Sequence, residues 1–189
     1  MNGHGTGDAG ATARKRSTPL RSAVEWLLIL AGAVVAALVI KTFLLQAFYI
    51  PSGSMEHTLE IRDRVLVNKL SYRLHDVHRG DIVVFERPPD EQGDIKDLIK
   101  RVVVLPNETV EGREGRVLVD GKPLREPYLS EGTVTAPFPS FRVPEGQVWV
   151  MGDNRSNSKD SRVFKGINEA RIIGRAFIRV WPLPSITLL

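Results

Sequence analysis

The pattern of apolar and polar residues divides the chain into three stretches. Residues 1–22 are rich in Gly, Ala and Thr and show no apolar periodicity, which is typical of a disordered tail. Residues 26–40 carry no charge, and after Lys41-Thr42 a mostly apolar run continues to Ile50. Beyond Pro51, short β-branched runs alternate with turn signals. The pattern therefore predicts a tail over 1–22, a membrane-spanning helix over 23–49 and a β-rich domain over 50–189.

The apolar run is long enough to cross a lipid bilayer. Residues 26–48 would form about 34 Å of helix, against a hydrocarbon core of about 30 Å. A cleavable signal peptide needs a short apolar core followed by a small-residue site, but Ala31-Gly32-Ala33 lies inside the run. A buried helix of a soluble protein would not be so long and apolar. We therefore expect an uncleaved single-pass anchor in the lipid bilayer.

Charge is concentrated before the anchor. The net charge is +4, and residues 1–22 contribute +3 of it, with Arg14, Lys15, Arg16 and Arg21 against Asp8. A nucleic-acid-binding protein would carry its positive charge on the folded domain, so no nucleic-acid partner is expected. Basic residues before a span place the N-terminus in the cytoplasm. The prediction is a plasma-membrane protein whose domain lies on the extracytoplasmic side.

The domain is predicted to be mainly antiparallel β. Residues 125–145 contain several prolines and are expected to form an irregular excursion between strands, while residues 168–173 are expected to form one short helical turn. Asp120-Gly121 has the composition of a hairpin turn. The predicted strand regions are 63–70, 80–89, 98–106, 112–124, 146–154 and 172–183.

Composition excludes several kinds of site. The absence of cysteine excludes disulfide frameworks, thiolate zinc sites and cysteine nucleophiles. His75 and His78 form an H-x-x-H pair without an evident third ligand, and His57 is a turn residue close to Ser54 in sequence. We therefore expect neither a metal nor another cofactor.

Three polar segments carry candidate chemistry. In residues 50–59, Ser52-Gly53-Ser54 follows a proline where the chain leaves the membrane, and glycine allows the close backbone approach that an oxyanion hole needs. A turn without catalytic function is the alternative. A serine nucleophile there requires a base, and no histidine is well placed to supply it.

Lys100 is the candidate base. In a strand over 98–106 it shares a face with Leu98, Val102 and Val104, because side chains alternate with a period of two. An edge lysine that reaches solvent is the alternative interpretation. A buried lysine can lose about 3–5 pKa units, which makes a neutral amine available near pH 7.

The third segment is the polar run over 152–162. Its position directly after an apolar strand predicts that its charges have partners and that its hydroxyl groups orient a buried amine. A solvated turn is the alternative, and the run lacks the glycine and glutamate of a calcium-binding EF-hand loop.

Together, in this order and after one span, the segments resemble type I signal peptidases over about 41–182. The quoted motifs are S-G-S-M, I-K-R-V-V and G-D-N-R-x-N-S-x-D-S-R. The resemblance implies Ser54 as the nucleophile, Lys100 as the general base and Ser52 as a donor to the oxyanion. It implies that Ser158 positions the lysine amine and that charged side chains brace the site, namely Asp153, Arg101, Asp160 and Arg162.

The resemblance also implies a substrate and a fold. Secretory preproteins would be cleaved after A-x-A-like sites, near the protein export machinery. The residues before the cleaved bond would lie in shallow apolar pockets formed by Phe48, Ile50, Pro51, Met55, Leu59, Leu98 and Ile99. The fold would be mainly β with a small insert over 106–145. Departures from the family pattern are His57 for proline, Val104 and Asn107 for glycines, and V-F-K-G after D-S-R.

Two other functions fit the same sequence. One is a non-catalytic membrane-anchored β module, which substitution of Ser54 or Lys100 would favour; both residues are present. The other is a peptidase with the same Ser/Lys chemistry but one dedicated substrate, because the pocket and not the dyad sets specificity.

Overall fold

A single long helix precedes the β-rich part of the chain. The structure is a computed structural model that describes residues 19–39, 44–89 and 91–189. Helix α1 (Pro19–Val39) begins at a proline, which is suited to a first helical turn. It includes residues 19–22 of the predicted tail, and residues 1–18 of that tail lie outside the described part. The chain divides into two units between Val39 and Ile40.

Large apolar side chains of α1 are exposed, including Trp26 at 71% and Leu28 at 68%. Across the described ranges, no helix combines the length and apolarity needed to cross a membrane. The membrane-spanning helix therefore stays a prediction.

The end of the predicted helix is a strand. Residues 45–49 were expected to continue the span, but strand β1 (Leu45–Tyr49) pairs antiparallel with β2 (Arg64–Asn68). In this pairing Phe48 lies opposite Val65 and packs against the buried core. A short apolar run is compatible with either element, and here the neighbouring strand decides.

A large antiparallel sheet forms the body of the domain. Besides β1 and β2, the strands of this sheet are β3 (Ile82–Glu86), β4 (Asp97–Val104), β9 (Gln147–Met151), β10 (Ile167–Asn168), β11 (Ile172–Trp181) and β12 (Thr187–Leu188). The strand order is β1-β2-β11-β3-β4-β9-β10, and β12 pairs with Ile178 and Arg179 of β11. Short helices connect them, namely α2 (Ser71–Leu74), α3 (Ser161–Phe164) and 3-10 turns at Gly53–Met55, Glu169–Arg171 and Leu183–Ser185.

The predicted insert forms a second sheet. Its order is β7-β6-β5-β8, with strands β5 (Thr109–Arg113), β6 (Arg116–Val119), β7 (Lys122–Pro123) and β8 (Phe138–Arg142). The turn predicted at Asp120-Gly121 connects β6 and β7, and both residues have positive φ. Residues 125–145 were expected to form an irregular loop or an extended excursion between strands; within them, pairing with β5 orders the proline-containing strand β8.

Buried apolar clusters on both faces of the large sheet hold β4. Val102 belongs to one cluster with Val83 and Val150, while Ile99 belongs to another with Val84. Val104 was expected on the face of Val102, but a register shift after Val102 pairs it with Trp149 and places it in the cluster that joins the two sheets. A bulge changes which face a side chain occupies, because it adds a residue to one strand.

Candidate active site

The candidate nucleophile lies in the 3-10 turn Gly53–Met55. Ser54 is only 7% exposed. Ser52 precedes the turn with extended backbone, and its side chain forms no cap hydrogen bond. Met55 and Leu59 are fully buried in the core, which fixes the turn against the sheet. The turn therefore presents the Ser54 hydroxyl from a rigid support.

The side chain of Lys100 reaches Ser54. Its Nζ donates to Ser54 Oγ at 2.6 Å and to the carbonyl oxygen of Ile99 at 3.0 Å. Lys100 is 4% exposed, so the alternative of an edge lysine in solvent does not apply. The nucleophile and the base candidate, which are 46 residues apart in sequence, are thus in direct contact.

Burial is the main influence on the Lys100 amine. Desolvation lowers the pKa of Lys100 from 10.5 to about 8, while the carboxylates of Asp160 and Asp153 oppose this and Arg162 adds to it. Burial disfavours the charged form of an amine. The side chain can therefore hold a neutral amine close to physiological pH.

Arg101, the residue after Lys100 in β4, forms a buried ion pair with Asp153. Arg101 Nη2 donates to Asp153 Oδ2 at 2.7 Å and Nε donates to Oδ1 at 3.0 Å. Thr58 Oγ1 also donates to this carboxylate at 2.6 Å, and Arg101 Nη1 donates to the Gly80 carbonyl at 2.8 Å. The pair connects β4, the segment after Ser54 and the loop after β9.

Asp160 and Arg162 form the second ion pair of the site. Asp160 accepts from Arg162 Nε and Nη2, both at 2.8 Å, and from the backbone N–H of Gly152 at 3.0 Å. Burial alone would raise the pKa of Asp160, but these contacts outweigh it and hold the pKa below its usual value. A carboxylate therefore persists beside the lysine amine.

The implied role of Ser158 is not seen. The resemblance predicts contact with the Lys100 amine, but no hydrogen bond joins the buried Ser158 Oγ to Lys100. The Ser158 hydroxyl instead helps to hold the pKa of Asp160 below its usual value. The carbonyl oxygen of Ile99 is the second partner of Lys100.

Gly152 and Asn154 contact the turn that carries Ser54, the candidate nucleophile, and were not singled out from the sequence. A Cβ on Gly152 would lie 2.3 Å from Ser158 Oγ and 2.4 Å from the Ser54 carbonyl oxygen. The backbone N–H of Asn154 donates to that carbonyl at 3.1 Å, and its Nδ2 donates to the Gly53 carbonyl at 3.0 Å. The sequence signal was the G-D-N-R motif itself, but only the fold shows what each residue contacts.

A cavity of about 250 Å³ opens at the dyad. Ser52, Ser54 and Lys100 form its polar floor. Its apolar wall includes Leu98, Ile95 and Phe164. A polar rim is formed by Arg87, Glu91, Asn157 and Lys159, with an ion pair between Lys159 and Glu91.

The residues predicted to form substrate pockets have varied positions. Of the seven, Leu98 lines the cavity, while Pro51 is exposed at the start of the Ser54 segment. The rest belong to or pack on the core beneath the site: Ile50, Met55, Leu59 and Ile99 are buried, and Phe48 packs against them. Their contact with substrate stays a prediction.

The insert contributes residues to the ion pairs and hydrogen bonds around the Ser54–Lys100 site. Arg155 is buried and forms an ion pair with Glu126, and its Nη1 donates to Thr135 Oγ1 at 2.7 Å. Tyr128 lies under the Arg101 guanidinium, 4.1 Å from the ring centre. Glu126 and Tyr128 sit in a proline-rich stretch without periodicity, so no sequence signal singles them out.

Among the described residues, no group of three His, Cys, Asp or Glu side chains is placed to hold a metal ion.

Two positions that depart from the family pattern, His57 and Asn107, adopt positive φ. Glycine is favoured in such a conformation, and asparagine tolerates it better than most residues. Asn107 can therefore replace glycine in this turn at low cost.

Comparison with known proteins identifies the family. A family model described as signal peptidase, peptidase S26, matches residues 23–181. Probable signal peptidase I-2 of Synechocystis sp. is 41% identical over 180 residues, covering 93% of this chain and 81% of that protein. Signal peptidase I of Leptolyngbya laminosa is 41% identical over 177 residues, covering 92% of this chain and 85% of that protein.

A third relative agrees. Signal peptidase I of Bacillus licheniformis is 34% identical over 187 residues, covering 93% of this chain and 97% of that protein. These matches extend over the segments that carry the serine, the lysine and the G-D-N-R motif. The chain belongs to the signal peptidase family, peptidase S26.

Proposed function

We propose that in this type I signal peptidase, a serine endopeptidase, Ser54 attacks the scissile carbonyl and Lys100 is the general base. The observation that carries this proposal is the 2.6 Å contact between Lys100 Nζ and Ser54 Oγ in a buried environment. With the amine neutral, the same separation lets the hydroxyl donate to Nζ. Serine chemistry then needs neither histidine nor metal.

The pKa of Lys100 makes the base available. With a pKa of about 8, about a fifth of the enzyme would hold a neutral amine at pH 7.4, against about one in a thousand for an unperturbed lysine. As the Ser54 Oγ–carbon bond forms, the proton passes to Nζ. The ammonium then protonates the leaving amine as the C–N bond breaks, which leaves an ester on Ser54.

Hydrolysis of the ester repeats the proton transfer with water. Lys100 takes a proton from the attacking water and returns it to Ser54 Oγ as the ester bond breaks. The charge on the tetrahedral oxygen would be stabilised by the backbone N–H of Ser54 and by the hydroxyl of Ser52, which lines the cavity and forms no cap bond.

The two ion pairs brace these groups. Arg101 with Asp153 fixes the residue next to Lys100, and Asp160 with Arg162 fixes the Gly152 backbone against the Ser54 turn. Because a misplacement of about 1 Å can cost about 100-fold in rate, loss of any of the four should slow the reaction.

The proposed substrates are preproteins cleaved after A-x-A-like sites. The cavity beside Ser54 has a small volume and an apolar wall at Leu98, which suits the small residues before such a site. The predicted set around Phe48 and Ile50 would support this wall from the core. No cofactor takes part in the proposed reaction.

The proposed setting is the plasma membrane. Exposed leucine, valine and tryptophan side chains on α1 suit a lipid environment, and the basic residues before them favour a cytoplasmic N-terminus. Ser54 follows the proposed anchor closely in sequence, so it would meet a preprotein as it leaves the bilayer beside the export machinery.

The test is cleavage of a preprotein with an A-x-A site, in detergent or lipid, with sequencing of the new N-terminus. Ser54→Ala, Lys100→Ala and Lys100→Arg should each be inactive but folded, since guanidinium does not lose its proton at working pH. Exposed Ser130→Ala and Lys122→Ala are the matched controls and should keep wild-type rates.

Each other outcome has a definite meaning. An inert wild type would favour a dedicated substrate or a non-catalytic module. A folded Lys100→Ala variant with full activity would show that another group is the base.

A further inference from the structure

The inserted subregion reaches the catalytic loop through a buried polar network that the proposed mechanism does not use. We define the insert clasp as Glu126, Tyr128 and Thr135 of the insert with their partner Arg155. We propose that Glu126 and Tyr128 are positioning residues for peptide hydrolysis, and this rests on the proposed function. They would act through the two arginines that they contact.

The first contact is the Arg155–Glu126 ion pair. The side chains are only 1% and 8% exposed, and besides the short contact with Nη2, Arg155 Nη1 donates to Glu126 Oε2 at 3.1 Å. Thr135 accepts from the same nitrogen. Both charges are thus removed from water and paired with each other, and the contact with Thr135 further fixes the geometry of the guanidinium.

Arg155 transmits this geometry to the backbone of the catalytic loop. Its Nε donates to the Gly152 carbonyl at 3.1 Å, and its own carbonyl accepts from Arg162 Nη1 at 2.8 Å. Gly152 leaves no space for a Cβ beside the Ser54 carbonyl. Movement of Arg155 would therefore shift the surface on which the nucleophile turn rests.

The second contact is Tyr128 with Arg101. The ring lies 4.1 Å from the Arg101 guanidinium carbon, within the range of a cation–π interaction. The Tyr128 hydroxyl donates to Glu126 Oε1 at 2.7 Å, which joins both contacts into one network. Arg101 follows Lys100 in β4, so the ring covers the residue that is next to the base.

A purely stabilising role does not require these groups. Buried ion pairs often contribute no net stability, and apolar residues of similar volume can replace them at no loss. The geometry of a planar, bidentate arginine is what an apolar substitute does not reproduce. The bond from the Arg155 guanidinium to the Gly152 carbonyl makes that geometry the useful property.

The pH profile gives a readout that separates positioning from folding. The groups that act on the Lys100 charge are Asp160, Asp153 and Arg162, and the rim of its cavity adds Arg87, Glu91 and Lys159. Desolvation is the largest influence on the pKa of Lys100. A loosened loop admits water and raises that pKa, so the acid limb of kcat/KM moves to higher pH.

The first experiment compares Glu126→Gln with Glu131→Gln, an exposed glutamate of the same insert, in the full chain. For Glu126→Gln we expect kcat about 10- to 100-fold lower, KM within about twofold, and the shifted acid limb. Glu131→Gln should match wild type in all three. A Glu126→Gln enzyme with wild-type kcat and pH profile would overturn the proposal.

Three further variants keep the test valid if Glu126→Gln folds poorly. The double variant E126L/R155M removes both charges and should keep the melting temperature but still lose kcat. Tyr128→Phe keeps the ring and should lose less activity than Tyr128→Leu, which removes it. A well-folded E126L/R155M enzyme with wild-type kcat would overturn the proposal.

Wild type and Ser54→Ala are included in every assay. Cleavage by wild type but not by Ser54→Ala establishes the peptidase. Wild-type kcat in the clasp variants would then count against the clasp only. An inert wild type would instead count against the proposed function.

Discussion

At the scale of single residues, Lys100 shows a conflict between function and stability. A lysine that is protonated in water but buried beside Ser54 is costly, because its folded pKa of about 8 lies below the unfolded value of 10.5. The cost is complete below about pH 8 and disappears as the pH rises to about 10.5. The residue is therefore present for its chemistry.

We expect Lys100→Met to be inactive but more stable at pH 7, by a free energy of unfolding of the order of 3 kcal/mol. The gain should shrink between pH 8 and 10.5. Denaturant unfolding of both proteins at pH 7 and pH 10 measures it, with exposed Lys122→Met as the control. Equal stabilities of wild type and Lys100→Met at pH 7 would contradict the assigned burial cost.

Gly152 is the second decisive residue. Gly152→Ala would place a methyl group 2.4 Å from the Ser54 carbonyl oxygen, so we expect about 1–3 kcal/mol of destabilisation and at least about tenfold lower kcat. The matched variant Gly166→Ala meets only the flexible Gln147 side chain and should be nearly neutral. Thermal unfolding and cleavage rates measure both. A fully active Gly152→Ala enzyme would show that the loop can move away without consequence.

At the scale of elements, the 3-10 turn Gly53–Met55 depends on a loop that is distant in sequence. Asn154 donates to the Gly53 carbonyl and, at 2.7 Å, to Glu56 Oε2. Asn154→Asp has the same shape but presents an oxygen to both acceptors. We expect kcat/KM to fall about tenfold, because the turn loses two bonds and gains repulsion.

Adding Glu56→Gln to Asn154→Asp should restore part of the activity, because the glutamine amide can donate to the new carboxylate. Asn168→Asp is the control, since Asn168 is exposed and uses its Oδ1 only as an acceptor. Unchanged kcat/KM in Asn154→Asp would mean that the turn holds its conformation without this loop.

At the scale of the whole molecule, the boundary at Ile40 separates the proposed anchor from the proposed catalytic unit. A protein of residues 40–189 should fold and cleave a short soluble peptide within about twofold of the full chain. It should cleave a preprotein in liposomes at least about tenfold more slowly, because anchoring raises the effective concentration of enzyme and substrate. Equal rates in liposomes would contradict a membrane role for residues 23–39.

The sequence alone determined the features that depend on local pattern. Alternation and turn residues were sufficient for most strands of the large sheet and for the turn at Asp120-Gly121. These inferences succeed because side-chain periodicity and turn chemistry are properties of neighbouring residues. The resemblance carried by the three motifs implied Ser54 as the nucleophile and Lys100 as the base, and their side chains lie 2.6 Å apart.

Only the tertiary structure decided what depends on distant contacts. Pairing with β2 made residues 45–49 a strand, and a bulge moved Val104 to another face. The fold also buried Lys100, left Ser158 without its implied partner and brought Glu126 to Arg155. Burial and the identity of each polar partner are set by which segments pack together; the local pattern predicted partners for the charges of residues 152–162 but not which residues they are.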